Sequence, residues 1–161
     1  MIIRSASIDD LDQIHQIEKE CFPIAEAATK EQLKERLHYY SNHFCLLFEN
    51  NQLISFIDGF VTNKKDLTDQ MYEEASMHDE SGDWQMIFGV NTHPAYQHKG
   101  YAREVMNAFL SDAKKQGRKG VVLTCKKKLL SFYEQFGFVN EGITNQSVHG
   151  NVQWYQMRLI F

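Results

Sequence analysis

The stretch Phe88-Gly89-Val90-Asn91-Thr92-His93-Pro94-Ala95-Tyr96-Gln97-His98-Lys99-Gly100-Tyr101-Ala102 decides the fold. It leaves a strand read from Trp84 to Val90, turns through His93-Pro94 and Gly100, and opens a helix whose inward face is marked by Val105, Phe109 and Ala113. Amide N–H groups in the first turn of a helix have no intrahelical partners, and the helix dipole adds to their pull on an anion such as a pyrophosphate. Gly100 permits close backbone approach and Ala102 keeps the next contact small. Taken alone, one glycine before a helix fits an ordinary strand-to-helix loop better than an anion site.

Towards the C-terminus the helix closes near Gly117, a good C-cap residue. Val121-Val122-Leu123 reads as a buried strand that ends at Cys125, and Leu129 to Phe136 as a short helix stopped by Gly137. Phe138 to Glu141 and Val152 to Ile160 are the last strands, with a polar turn around His149-Gly150. Towards the N-terminus, Ile2-Ile3-Arg4 is a short strand, and Ser7 with Asp10 three residues on opens a helix carrying Leu11, Ile14 and Ile17. Pro23 stops it, and a second helix follows Thr29 with Leu33 and Leu37 inward. Phe44 to Phe48 and Leu53 to Val61 form a hairpin across Glu49-Asn50-Asn51-Gln52, and Asn63 to Gly82 reads as a long polar excursion. The order β-α-α-β-β-β-α-β-α-β-β predicts a single mixed α/β domain over residues 1–161 with helices on both faces of the sheet.

The turn gains meaning from Ser131-Phe132-Tyr133-Glu134-Gln135-Phe136-Gly137-Phe138 further on. Together the segments resemble the GNAT superfamily of acetyl-CoA-dependent N-acetyltransferases. Gln97, Gly100 and Ala102 match its Gln/Arg-x-x-Gly-x-Gly/Ala turn, and the Phe-Tyr-Glu-x-x-Gly-Phe pattern follows in order. Glu18-Lys19-Glu20-Cys21-Phe22-Pro23 with Glu26-Ala27-Ala28, and Ser147-Val148-His149-Gly150 with Trp154-Tyr155-Gln156-Met157, are similar to the bacterial arylalkylamine N-acetyltransferase branch. The resemblance implies a mixed, mostly antiparallel central sheet and acetyl-CoA as cosubstrate. It implies a cofactor surface of Phe88, Gly89 and Val90, then Gln97, His98, Lys99, Gly100, Tyr101, Ala102 and Arg103, with Lys126 near the phosphates. His93, before Pro94, is expected to be structural.

Acetyl transfer to an amine requires a free nitrogen lone pair, a donor for the developing oxyanion and a proton for the departing thiolate. The resemblance makes Tyr133 the acid at sulfur, and a strand bulge between Trp84 and Val90 the source of the oxyanion donor. Vertebrate arylalkylamine enzymes carry a histidine pair in that strand, where Met86 and Phe88 stand here. Glu26, Asp83 and His149 are therefore the candidates for the base. Phe22, Pro23, Tyr39, Tyr40, Met71, Tyr72, Trp154 and Tyr155 are candidate walls for the acceptor. Glu26, Glu73, Glu74, Asp79 and Glu80 are the acidic residues that favour a cationic one.

Composition agrees. A net charge of −4 with both signs interspersed lacks the basic footprint of nucleic-acid binding. No signal-peptide pattern or membrane-length apolar run is visible, so a cytoplasmic location and no membrane partner are expected. Cys21, Cys45 and Cys125 lack metal-ligand spacing, so no metal is expected. The expected partner is a small-molecule amine, an arylalkylamine or a polyamine, and the final strand is compatible with a homodimer. A protein N-terminus or lysine as acceptor, and an inactive CoA-binding module, stay open as alternatives.

Overall fold

The computed structural model describes residues 1–161. The chain runs through β1 (Ile2–Arg4), α1 (Leu11–Cys21), α2 (Lys30–Tyr40), β2 (Phe44–Glu49), β3 (Gln52–Asp58), β4 (Val61–Thr62), α3 (Asp69–Glu73), β5 (Trp84–Ile87), β6 (Gly89–Thr92), α4 (Tyr101–Lys115), β7 (Gly120–Cys125), α5 (Leu130–Glu134), β8 (Val139–Ile143) and β9 (Tyr155–Ile160). The strands form two sheets ordered β1-β2-β3-β6 and β4-β5-β7-β9-β8, in which only β5–β7 is parallel. This is the mixed, mostly antiparallel α/β fold of the expectation.

Local sequence explains the ends of the elements. Asp10 accepts from the Ser7 N–H at 2.8 Å before α1, and Thr29 with Gln32 forms a reciprocal capping box before α2. Asn50 and Asn51 turn the β2–β3 hairpin with φ of 50° and 64°, the left-handed pair that a tight hairpin needs. Ile14, Ile17, Leu33 and Leu37 bury one face of the sheets, and Val105, Met106, Phe109 and Ala113 of α4 bury the other. Truncating such a fully buried residue costs about 2–5 kcal/mol.

The expected single strand from Trp84 to Val90 is two. Phe88 donates its N–H to the Asp58 carbonyl at 2.8 Å, while Gly89 is the register partner of Asp58. Two residues opposite one make a bulge, and there the chain changes sheets. The Gln85 amide, fully buried, donates to the carbonyls of Gly59 and Met86 at 2.8 Å, supplying partners that the interrupted ladder lacks. Gly59 is required, because a Cβ there would lie 1.8 Å from the Met86 oxygen. The excursion from Asn63 to Gly82 is ordered by β4's pairing to β5, by α3 and by a 3-10 turn at Ala75–Met77. No helix is long and apolar enough to cross a membrane.

Candidate active site

β6 pairs with β3 and β7 pairs with β5, so β6 and β7 diverge beyond the bulge. A cavity of about 1160 Å³ occupies the gap and runs from the start of α4 to the loops before α2 and β9. Ligand pockets are on the order of 300–1,000 Å³, so this one has room for two reactants.

The α4 end suits an anion. The first bond of the helix is Glu104 N–H to the Gly100 carbonyl, which leaves the N–H groups of Tyr101, Ala102 and Arg103 without intrahelical partners. His98 and Gly100 hold φ of 63° and 88°, and no atom lies within 4 Å of where a Gly100 Cβ would stand. The turn is therefore an open cradle that fits a pyrophosphate. Of the predicted cofactor residues, Phe88, Gly89, Val90, Gln97, His98, Gly100, Tyr101, Ala102, Arg103 and Lys126 line the cavity, and Lys99 does not. Lys99 lies over the Tyr96 ring instead, and Lys126 is committed to Glu26 at 2.9 Å. His93 caps the following turn by accepting from the Ala95 N–H at 3.1 Å.

Along the gap, Phe88, Gly89 and Val90 face Leu123, Thr124 and Cys125 across the cavity. His93 N–H donates to the Ile54 carbonyl, so by strand alternation Asn91 faces β3 and the Val90 amide faces the gap. Tyr133 lines the same region, its ring packed edge-on against Phe132 and Phe138. Burial, with Cys125 and Tyr72 nearby, pushes this phenol above the usual tyrosine range, so it holds its proton.

The far end is aromatic and acidic. Tyr72 stands 4.8 Å from Phe88 and 4.7 Å from His149, centroid to centroid, and His149 stacks on Trp154 at 4.2 Å. His149 Nδ1 lies 2.8 Å from Asp69 Oδ1, and the Trp154 indole donates to the His149 carbonyl. Glu26 and Glu73 also line this end. Of the predicted walls, Phe22, Pro23, Tyr72 and Trp154 are present. Tyr40 is core, Tyr39 is exposed, and Met71 and Tyr155 lie outside the lining. Of the three base candidates, Glu26 and His149 line the cavity, whereas Asp83 pairs with Lys119 outside it. Glu74, Asp79 and Glu80 are also outside.

A buried polar cluster escaped the sequence reading. Arg36 of α2 pairs with Asp58 of β3 at 3.1 Å, with both side chains almost inaccessible. Glu18 of α1 is 4 % exposed, and its Oε2 accepts from the Ala28 N–H at 3.0 Å. Burial and the neighbouring Asp58 push Glu18 up to about 7, against the opposing pull of Arg36. Asp58 Oδ1 and Arg36 Nε lack protein partners, and the Asn91 amide lies against Glu18. A Cβ placed on Gly89 would fall 3.0 Å from Asn91 Nδ2 and 3.6 Å from both Asp58 Oδ1 and Glu18 Oε1, so the cluster converges beneath the bulge. The available sequence signal was charge on apolar faces: Glu18 is four residues after Ile14, and Arg36 three after Leu33.

A family model described as "Acetyltransferase (GNAT) family" matches residues 11–138. No curated protein sequence matches the chain. Among solved structures, the loading GNATL domain of CurA from Lyngbya majuscula superposes with a TM-score of 0.85 at 15% identity, covering 99% of this chain and 96% of that one. The GphF GNAT-like decarboxylase in complex with isobutyryl-CoA gives 0.84 at 18% identity, with 99% of each chain covered. The PaiA N-acetyltransferase from Thermoplasma acidophilum in complex with coenzyme A gives 0.73 at 18% identity, covering 99% of this chain and 98% of that one. At these identities the likeness is one of fold.

Proposed function

The chain belongs to the GNAT acetyltransferase family, whose acyl donor is acetyl-CoA, and from that premise we propose that its acceptor is a small primary amine, an arylalkylamine or a polyamine. The observation that carries this reading is the end wall, where Tyr72, Phe88, His149 and Trp154 stand among Asp69, Glu73 and Glu26. Aromatic faces attract an ammonium and stack on an aryl group, and the carboxylates discriminate against anions.

The donor's phosphates lie on the α4 turn and its arm along β6, with the Val90 N–H as the donor to the thioester oxygen. Tyr133 gives its proton to the departing sulfur. The segments around the acceptor end are tied together, which supports a small acceptor over a polypeptide. Glu26 binds Lys126, Gly150 packs on the Glu26 side chain, and Asp69 holds the Val148 N–H at 2.8 Å.

The test is thiol release from acetyl-CoA with phenethylamine, tryptamine, spermidine and a short peptide bearing a free N-terminus. Acetylation of one of the three small amines is expected. Turnover confined to the peptide, or none with any amine, would overturn the reading.

A further inference from the structure

Given the reading of the cavity as an amine-acetylation site, we propose that Glu18 is the group that takes the proton from the reacting nitrogen, the role for which the strand at Met86 and Phe88 offers no side chain. Oε2 is held by the Ala28 N–H, Oε1 lies beside the Asn91 amide next to Gly89, and Glu18 is among the residues that line the cavity.

Burial raises both buried carboxylates of the cluster, Glu18 and Asp58, but only Asp58 is paired with a cation. Arg36 and Asp58 already neutralise each other at 3.1 Å. Glu18 is the surplus negative charge in a space from which water is largely removed, and it has no cation of its own. The other titratable groups facing it are Tyr40 of α2 and Cys21 of its own helix. Burial pushes both of these upward, Cys21 to about 11, so near neutral pH neither adds charge. Taking up a proton relieves the surplus, which gives Glu18 its affinity near 7 and suits a base that must both accept and release at physiological pH.

The other carboxylates and the histidine are differently placed. Glu26 is bound to Lys126, Asp83 lies outside the cavity, and His149 sits in the end wall on Asp69.

The amine arrives as the free base, having left its first proton in solvent. Its lone pair forms the N–C bond to the thioester carbonyl carbon, and the C–S bond breaks with its electron pair going to sulfur. One N–H proton passes to the Glu18 carboxylate and the Tyr133 proton passes to sulfur. Glu18 then releases its proton to solvent and Tyr133 regains one, so amine and acetyl-CoA become amide and free thiol.

Two measurements decide it. In the free protein, an infrared pH titration should show a carboxyl band titrating near 7 that is missing in Glu18→Gln. This reading does not depend on the acceptor. In turnover, kcat should fall tenfold per pH unit below about 7 in the wild type. Glu18→Gln should lower kcat about 100-fold or more and flatten that limb. Its melting temperature and acetyl-CoA-induced stabilisation should match the wild type, and Glu18→Asp should recover part of the rate.

A titrating band that survives in Glu18→Gln overturns the proposal. So does an acid limb that persists in Glu18→Gln but vanishes in His149→Gln. Failure of every amine with the infrared band intact would count against the acceptor class and leave Glu18 as the titrating group at this site.

Discussion

Lys126, the first residue after β7, reaches Glu26 of the α1–α2 loop with Nζ 2.9 Å from Oε1, although the two are a hundred residues apart. The contact joins the wall of the cofactor gap to the roof of the acceptor end. The Lys126 ammonium also lies 5.8 Å from the Trp154 ring, so one side chain ties three parts of the cavity together. Lys126→Met should raise the amine KM about tenfold by loosening the roof. Its cost in stability should be about 1–2 kcal/mol, between the surface and buried limits, because Glu26 is 6% exposed and Lys126 30%. Acetyl-CoA affinity by calorimetry should change less than about threefold, since the ammonium is engaged by protein. A tenfold loss would assign Lys126 to the phosphates.

Tyr133→Phe removes one hydroxyl from the cavity wall and leaves the ring packed against Phe132 and Phe138. Turnover should fall about 100-fold while acetyl-CoA affinity stays within about threefold, the pattern of a group that acts only as the thiolate leaves. The acid must be protonated to work. Because burial raises its pKa, the alkaline limb of the wild-type profile should lie above about pH 10. A fall in kcat beginning near pH 8 would point to another donor.

The donor side of this protein is written locally in the sequence. The α4 turn, the Tyr133 helix and the bulged strand are each contiguous segments, so a family resemblance carried by local motifs could point to them. The acceptor side is written across the chain. Glu18, Arg36, Asp58 and Asn91 come from α1, α2, β3 and β6, and only packing brings them beneath Gly89. Glu18 and Arg36 carry a signal singly, as charges on apolar helix faces, but the convergence of the four carries none. Asp83 is the converse case: it directly precedes the gap strand in sequence, yet in the fold it pairs with Lys119 and does not line the cavity. The place of the break at Phe88 was likewise invisible to periodicity, since Met86-Ile87-Phe88 is one apolar run with no turn signal inside it.

Glu80 holds the far end of the excursion that carries α3. His43 and His78 each point Nε2 at its carboxylate, at 2.9 and 3.1 Å, and Asn42 and Arg118 also donate to it. Burial works against its charge, but the donors of Asn42, His43 and His78 outweigh it and hold the carboxyl down to about 2. A depressed carboxyl stabilises the fold above its unfolded pKa of about 4.3, and that contribution is lost as pH falls through the folded value. Glu80→Gln should therefore lower the melting temperature by about 2–4 °C at pH 7, for a loss of about 1 kcal/mol at a half-exposed site. The gap to wild type should close between about pH 5 and pH 2. A gap that stays constant with pH would mean that shape, and not charge, holds this segment.

Gly100 separates the cost of a backbone conformation from the cost of lost space. Its φ is 88°, and no atom lies within 4 Å of the point a Cβ would occupy, so a methyl group there meets no protein neighbour. Gly100→Ala therefore carries only conformational strain, about 1–2 kcal/mol for an L residue in the left-handed region. In a chain of this length that corresponds to a melting temperature lower by about 2–8 °C. If the turn relaxes to relieve the strain, the N–H groups of Tyr101, Ala102 and Arg103 lose their common aim. Acetyl-CoA should then bind about tenfold more weakly, with the amine KM unchanged. Gly100→Asn, whose side chain tolerates positive φ, should recover part of the stability. If it regains the melting temperature but not the affinity, the methyl-sized space itself is occupied by the ligand. If Gly100→Ala binds acetyl-CoA as tightly as the wild type, the pyrophosphate does not sit on this turn.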